Sequence, residues 1–273
     1  MSRFRMGRSA PLGYDPNELN LLEPGADVRY TKRMLVTIIL ATRNAHKVQE
    51  ISRILGPGFL CLDLKSFPGA PTVVEDAGTF AGNATKKAVE LARFISNIAT
   101  AQFKLIFAAE AHGNEWYVLA DDSGLEVDAL DGAPGVHSAR FAALDANAPT
   151  NSPDAANNDK LLRWLETVPE AKRQARFRCV LALAPIVPPE PVTSSPVCAL
   201  EEIELRTELF EGTCEGRIAF HPSGGGGFGY DPLFIPEGFN QSFAELGEEV
   251  KNRISHRAHA LEKLRKRFES SVR

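Results

Sequence analysis

Apolar and polar positions change period several times along the chain, and each change marks an element. Residues 34–41 (MLVTIILA) are continuously apolar with a β-branched centre, the pattern of a strand buried on both faces of a sheet. The run ends at Thr42-Arg43-Asn44-Ala45-His46-Lys47. Val48, Ile51, Ile54 and Leu55 then recur at helical spacing until Gly56-Pro57-Gly58 stops them. Phe80, Ala84, Ala88, Leu91, Ala92 and Ile95 mark one face of a second helix. Another apolar run, 116–120, gives out at Asp121-Asp122-Ser123-Gly124, where a bend and turn are expected. Leu125, Val127 and Ala129 then alternate with Glu126, Asp128 and Leu130 as a short strand, closed by the turn cluster Asp131-Gly132-Ala133-Pro134-Gly135.

Further on, Ser152-Pro153 opens a helix that buries Leu161, Leu162 and Leu165. Residues 177–184 (FRCVLALA) and 200–210 (LEEIELRTELF) read as long strands, the second alternating with charge so that one face stays wet. A short strand is expected at 233–235, and Ser255 caps a last helix with Leu261, Leu264 and Phe268 on its apolar side. The succession is that of a continuous α/β domain. Two stretches, 100–114 and the proline-rich 184–196, are longer than simple connections need.

At 273 residues and 44% hydrophobic, the chain can bury a substantial core. No apolar run approaches the ~18 residues that span a membrane. Arg3, Arg5 and Arg8 precede no apolar signal core, and Asp15, Glu18, Glu23 and Asp27 are too acidic for a transit peptide. Residues 1–33 are therefore expected to be a loosely ordered N-terminal extension, 34–273 a single domain, and the location cytoplasmic. Cys61, Cys179, Cys198 and Cys214 form no CxxC pair and are expected as reduced thiols, with Cys61 and Cys179 inside apolar strand patterns. A net charge of -4 leaves no broad electrostatic footprint for duplex nucleic acid.

Chemistry concentrates in a few loops. Asp121 and Asp122 are oxygen donors of the kind Mg²⁺ takes alongside waters and substrate phosphates, although a solvated turn is about as common for such a tetrapeptide. The strand-to-helix loop from Thr42 to Lys47 offers backbone N–H groups and a helix N-terminus to a phosphate, with Lys47 adding a full charge. Ordinary capping by Thr42 or Asn44 fits the same residues. The glycine-rich stretch 223–232 (SGGGGFGYDP) lets the backbone approach a ligand, and Phe228 and Tyr230 offer stacking faces. His256 and Arg257 are cations at a helix start, where the dipole disfavours them, so an anion or a polar base nearby is expected.

Five of these segments, ATRNAHK, FAGNATKKA, LADDSGLEVDALDGAPGVHSARF, GGFGYDPLF and ISHRAHAL, occur in an order that closely resembles the inosine triphosphate pyrophosphatase family over roughly 34–268. The resemblance implies an elongated mixed β-sheet flanked by helices, and a homodimer. It implies hydrolysis of the purine nucleoside triphosphates ITP, dITP and XTP to the monophosphate and pyrophosphate with Mg²⁺, an activity that cleanses the nucleotide pool. Carried over by position, Thr42, Arg43, Asn44, Ala45, His46 and Lys47 would hold the triphosphate. Glu75, in VVEDAG, would bind metal. Asp122 would be general base and metal ligand, Asp121 a second carboxylate, and Ser123 a substrate contact. Phe228, Gly229, Tyr230 and Asp231 would take the purine, Lys251 a phosphate, and His256 with Arg257 the base edge. Arg43 departs from the pattern, since many members carry a small residue there. Asn83, in FAGNA, fits capping or loop bracing.

Cleavage between the α and β phosphates needs charge neutralisation, an oriented water and a base. Lys47, Lys251 and Mg²⁺ supply the first and Asp122 the last, with a hydroxide generated on the metal as the alternative base. Donors from Arg257 and backbone amides suit the 6-oxo group of hypoxanthine or xanthine and oppose the amino group of adenine. Two other readings share these loops: a nucleotide-binding regulatory module without turnover, and a related pyrophosphatase for pyrimidine or modified triphosphates.

Overall fold

The computed structural model describes residues 36–98, 116–146, 150–187, 203–204 and 206–270. The N-terminal extension, the 100–114 stretch and most of the 184–196 loop lie outside the described residues. β1 (Val36–Leu40) is buried at all five positions. It runs into α1 (Ala45–Leu55), which starts where the Asn44 side chain accepts the N–H groups of His46 and Lys47 and stops at Gly56 in a positive-φ conformation. Then come β2 (Phe59–Leu62), α2 (Phe80–Ile98), β3 (Trp116–Val127), α3 (Asp154–Trp164) and β4 (Gln174–Pro185). The chain closes with β5 (Glu208–Ile218), β6 (Phe234–Pro236), α4 (Phe243–Ile254) and α5 (His256–Ser270).

The six strands form one mixed sheet in the order β2-β1-β3-β4-β5-β6. β1 lies parallel to β2 and β3, and the remaining neighbours pair antiparallel. Because side chains alternate along a strand, each face has its own core. On one face Val118, Ala120 and Val180 pack under Ala84, Ala88 and Leu91 of α2. On the other, Tyr117, Leu119 and Leu181 meet Ile51 of α1 and Leu261 and Leu264 of α5. A third cluster, with Leu125, Phe177, Leu161, Phe234 and Phe243, fills the far end of the long strands. Among the described residues no helix is long and apolar enough to cross a membrane.

Several expectations are corrected. The chain does not turn at Ser123-Gly124: β3 continues to Val127, with Asp122, Ser123 and Gly124 opposite Val180, Cys179 and Arg178 of β4. Gly124 serves close packing instead, since a Cβ there would lie 2.4 Å from the Gly135 carbonyl oxygen and 2.8 Å from the Phe80 ring. The alternation past Val127 ends in a 3-10 turn at Asp128–Leu130. The strand expected at 200–210 is displaced, running Glu208–Ile218, and Ile203 and Glu204 are helical. β2 carries the strand pattern expected around Cys61, whereas the periodicity did not announce α4. α4 carries a legible start, a capping box in which the Ser242 hydroxyl accepts from the Glu245 N–H and the Glu245 carboxylate from the Ser242 N–H.

Candidate active site

A cleft of about 1000 Å³ opens where the end of β1, the first turn of α1 and the middle of β3 meet the 70–78 segment. It gathers Thr42, Arg43, Asn44, Lys47, Glu75, Asp121, Asp122 and Ser123, the phosphate, metal and carboxylate positions expected from sequence. Lys87, His137 and Arg140 line it as well. Lys87 belongs to FAGNATKKA and lies four residues after Asn83, so the two share a face of α2; that spacing is the signal by which it was legible.

Continuity of β3 turns the two aspartates to opposite faces of the sheet. Asp122 points toward α2, where Asn83 Nδ2 donates to its Oδ2 at 3.0 Å. Burial pushes the Asp122 carboxyl up to about 6, with Glu75 adding to the rise while Lys87, Asn83 and Lys47 oppose it. It is thus a carboxylate poised to take a proton near neutral pH. Glu75 Oε1 lies 3.1 Å from Lys87 Nζ, which also donates to the Asp121 carbonyl at 2.8 Å.

The 70–78 segment has no helix or strand and is held by side chains from around the cleft. Arg43 donates to the Ala70 carbonyl at 2.8 Å and to Thr72 Oγ1 at 3.3 Å. Arg140 reaches the Glu75 carbonyl at 3.3 Å, and Asn83 Oδ1 accepts the Ala77 N–H at 2.9 Å. Arg43 therefore ties the 42–47 loop to the segment that carries Glu75. Ala45 faces a separate hollow of about 350 Å³ beyond Arg43, shared with Asp63 and Lys65.

Asp121 faces α1 and α5. Its carboxylate accepts from Lys47 Nζ, from Arg257 Nε at 2.8 Å and from Ser123 Oγ at 3.0 Å. Burial works to raise it, but the Arg257 and Lys47 cations overcome that and hold it well below the usual carboxylate range. Arg257 is only 1% exposed, and its Nη1 donates to Glu50 Oε2 at 2.7 Å. The anion expected beside this cation is thus supplied by the protein itself, and the guanidinium lies under the cleft wall, not on an open base edge.

The aromatic loop forms a second cluster on this face. The Phe228 ring stacks against His46 at 5.8 Å, with Lys251 Nζ 4.3 Å and the Arg257 guanidinium 6.0 Å from its centroid. Asp231 braces the loop, accepting the Phe228 N–H at 2.8 Å and Lys251 Nζ at 2.6 Å. Gly229 is gripped by α3, its N–H by Asp154 at 2.7 Å and its carbonyl by Asn158 at 3.1 Å. Tyr230 offers no stacking face, because its ring is buried in the core and its hydroxyl donates to the Ser138 carbonyl at 2.9 Å. His256 is buried too, stacked on Phe177 at 4.8 Å. Burial, then the neighbouring Arg257 and Lys251, hold its imidazole well below the usual range and so neutral.

Asp122 and Glu75 share one cleft and interact electrostatically, two hard oxygen donors of the kind that could hold a divalent cation beside open space. Among the described residues no group of three or more His, Cys, Asp or Glu gathers around a metal position, so such a cation would complete its shell from water and substrate phosphates.

The sequence pattern of the Ham1 family matches residues 38–267. The chain is 45% identical over 227 residues to the dITP/XTP pyrophosphatase of Desulforamulus reducens, covering 83% of this chain and 92% of that protein. It is 42% identical over 236 residues to the dITP/XTP pyrophosphatase of Geobacillus kaustophilus, covering 86% and 95%. Among solved structures it is similar to the Ham1 protein of Staphylococcus aureus, with TM-score 0.63 and 30% identity over 86% of this chain and 99% of that one. It is likewise similar to a HAM1 protein from Coxiella burnetii, with TM-score 0.63 and 32% identity over 86% and 100%.

Proposed function

The chain belongs to the Ham1 family, and from that footing we propose that it is a nucleoside triphosphate pyrophosphatase that hydrolyses ITP, dITP and XTP to the monophosphate and pyrophosphate. The observation that carries the reading is the cleft itself, where a carboxylate pushed up to about 6 sits with a second carboxylate and two lysines. Lys47 and Lys87 neutralise the polyphosphate, and Asp122 accepts the proton of the water that attacks the α phosphorus as pyrophosphate leaves. Asn83 holds one Asp122 oxygen, which leaves the other to face the water. Glu75 and Asp122 are the residues that would hold Mg²⁺, whose contribution when bound is charge neutralisation and acidification of water. The purine stacks at Phe228, with Lys251 and Arg257 beside the ring. The family resemblance supports extending this reading to 34–273 as one catalytic domain, to a homodimer and to a cytoplasmic location.

Pyrophosphate release measured across ITP, XTP, dITP, ATP, GTP and dUTP with Mg²⁺, and again with excess chelator, tests it. The expected result is preference for the first three and loss of turnover on chelation. Release of orthophosphate in place of pyrophosphate, or an equal rate on every substrate, overturns it.

A further inference from the structure

The proposed mechanism uses Asp122 and leaves its neighbour unassigned. Asp121 is 4% exposed, on the opposite face of β3. A buried carboxylate is costly unless donors surround it. Here Lys47, Arg257, Ser123 and the Cys179 thiol, at 3.4 Å, all converge on it. Two of these belong to different halves of the nucleotide site. Lys47 sits in the first turn of α1, lines the cleft and keeps its side chain 20% exposed. Arg257 sits in the first turn of α5, fully enclosed, with its guanidinium 6.0 Å from the Phe228 centroid. Glu50, one turn along α1 from Lys47, takes the other side of the same guanidinium at 2.7 Å. The starts of α1 and α5 are therefore joined through one carboxylate on β3.

We infer that Asp121 is a positioning residue that couples triphosphate binding to purine selection by holding Lys47 and Arg257 on one buried carboxylate. The inference rests on the pyrophosphatase reading. Lys47 is the exposed member of the set and the one free to move its ammonium toward an arriving phosphate. While its ammonium bridges Asp121 and the phosphate, Arg257 keeps its place beside the aromatic ring; without that cation Asp121 draws more strongly on Arg257 and pulls it from the ring. Binding at the phosphate end thus changes the charge balance at the base end, and by linkage the reverse holds as well.

The test is a substitution at one end read at the other. Lys47→Met does not touch the purine loop, yet the ratio of kcat/KM for ITP to that for ATP should fall by about five- to tenfold. Asp121→Asn should compress the same ratio and raise KM for ITP by a larger factor than it lowers kcat. In the Asp121→Asn background, adding Lys47→Met should leave the ratio where it was. A Lys47→Met variant that loses the same factor on ITP and ATP overturns the inference, and since that side chain is partly exposed the test stands even if Asp121→Asn does not fold. Failure of the parent enzyme to prefer ITP would instead sink the pyrophosphatase reading, so the two failures are distinguishable.

Discussion

Asn83 ties Asp122 to the 70–78 segment through the two ends of one amide: Nδ2 donates to Asp122 Oδ2 at 3.0 Å, and Oδ1 accepts the Ala77 N–H at 2.9 Å. The donor favours the Asp122 anion, offsetting part of the burial that raises this carboxyl to about 6. The reaction needs the anion, so kcat/KM should fall as pH drops through about 6. Asn83→Asp keeps the shape but replaces the donor with a like charge. The acidic limb should then move up by about one pH unit or more, cutting the rate at pH ~6 about fivefold or more and restoring it near the alkaline plateau. A loss of equal size at every pH would mean that Asn83 only braces the loop.

The same shift has a stability consequence. Asp122 ionises at about 6 in the folded protein against an ordinary value of 3.8, so between those two values the folded state holds a proton that the unfolded chain has released. Stability therefore declines as pH rises through that window, and the cost is fully present above about 6. Its size is of order 1–3 kcal/mol. Asp122→Asn should abolish most turnover while raising stability at pH ~7.5 by a comparable amount, with the gain shrinking as pH falls toward 4. Denaturant titrations of both proteins at the two pH values decide the matter. A variant less stable than the parent at neutral pH would contradict the burial argument.

How much was legible depended on whether a residue's partner lies nearby in sequence. β1, α1 and α2 announce themselves because their apolar positions repeat at their own period and local caps such as Asn44 bound them. Ala120 to Gly124 reads as a strand giving way to a turn because two aspartates and a serine are poor interior strand residues. What keeps them in β3 comes from distant chain: Asn83 on one face, Lys47 and Arg257 on the other, and β4 alongside. Burial of Tyr230 and sequestration of Arg257 were hidden for the same reason, since a motif places a residue in a loop or helix start without showing which way it turns. The 42–47 loop and Asp122 carried their own signals, Glu75 came only with the family resemblance, and Lys87 needed the helix face it shares with Asn83.

Arg43 gives a prediction particular to this chain. Its guanidinium spans from the phosphate loop to Ala70 and Thr72, on the segment that carries Glu75. Each such bond contributes on the order of 1 kcal/mol. Arg43→Gly should therefore speed hydrogen exchange of backbone amides in 70–78 several-fold and raise the Mg²⁺ concentration needed for half-maximal activity. Unchanged exchange in that segment would show that the tether carries no strain-bearing role in solution.

Metal dependence can be probed at Glu75 itself. A site held by two protein carboxylates loses much of its attraction for a cation when one becomes neutral. Glu75→Gln should raise the Mg²⁺ requirement about tenfold or more while leaving the rate at saturating Mg²⁺ within reach of the parent. Full activity of the parent in excess chelator would remove metal from the reaction.

The last prediction concerns the seat of α5. Gly212 of β5 pairs with Cys179 of β4, and a Cβ added there would lie 2.0 Å from the His256 carbonyl oxygen and 2.5 Å from the Ala260 nitrogen. The first turn of α5 thus rests directly on strand backbone, a contact only glycine permits. Because that turn also carries Arg257, pushing it off β5 draws the guanidinium away from Asp121 and Phe228. Gly212→Ala should cost about 1–3 kcal/mol in stability. It should also raise KM for ITP, while Gly58→Ala, where nothing lies within 4 Å of the added methyl, should do neither. Denaturation midpoints and ITP kinetics on the two variants separate the outcomes: stability lost with KM unchanged would show that α5 can shift without carrying the site along.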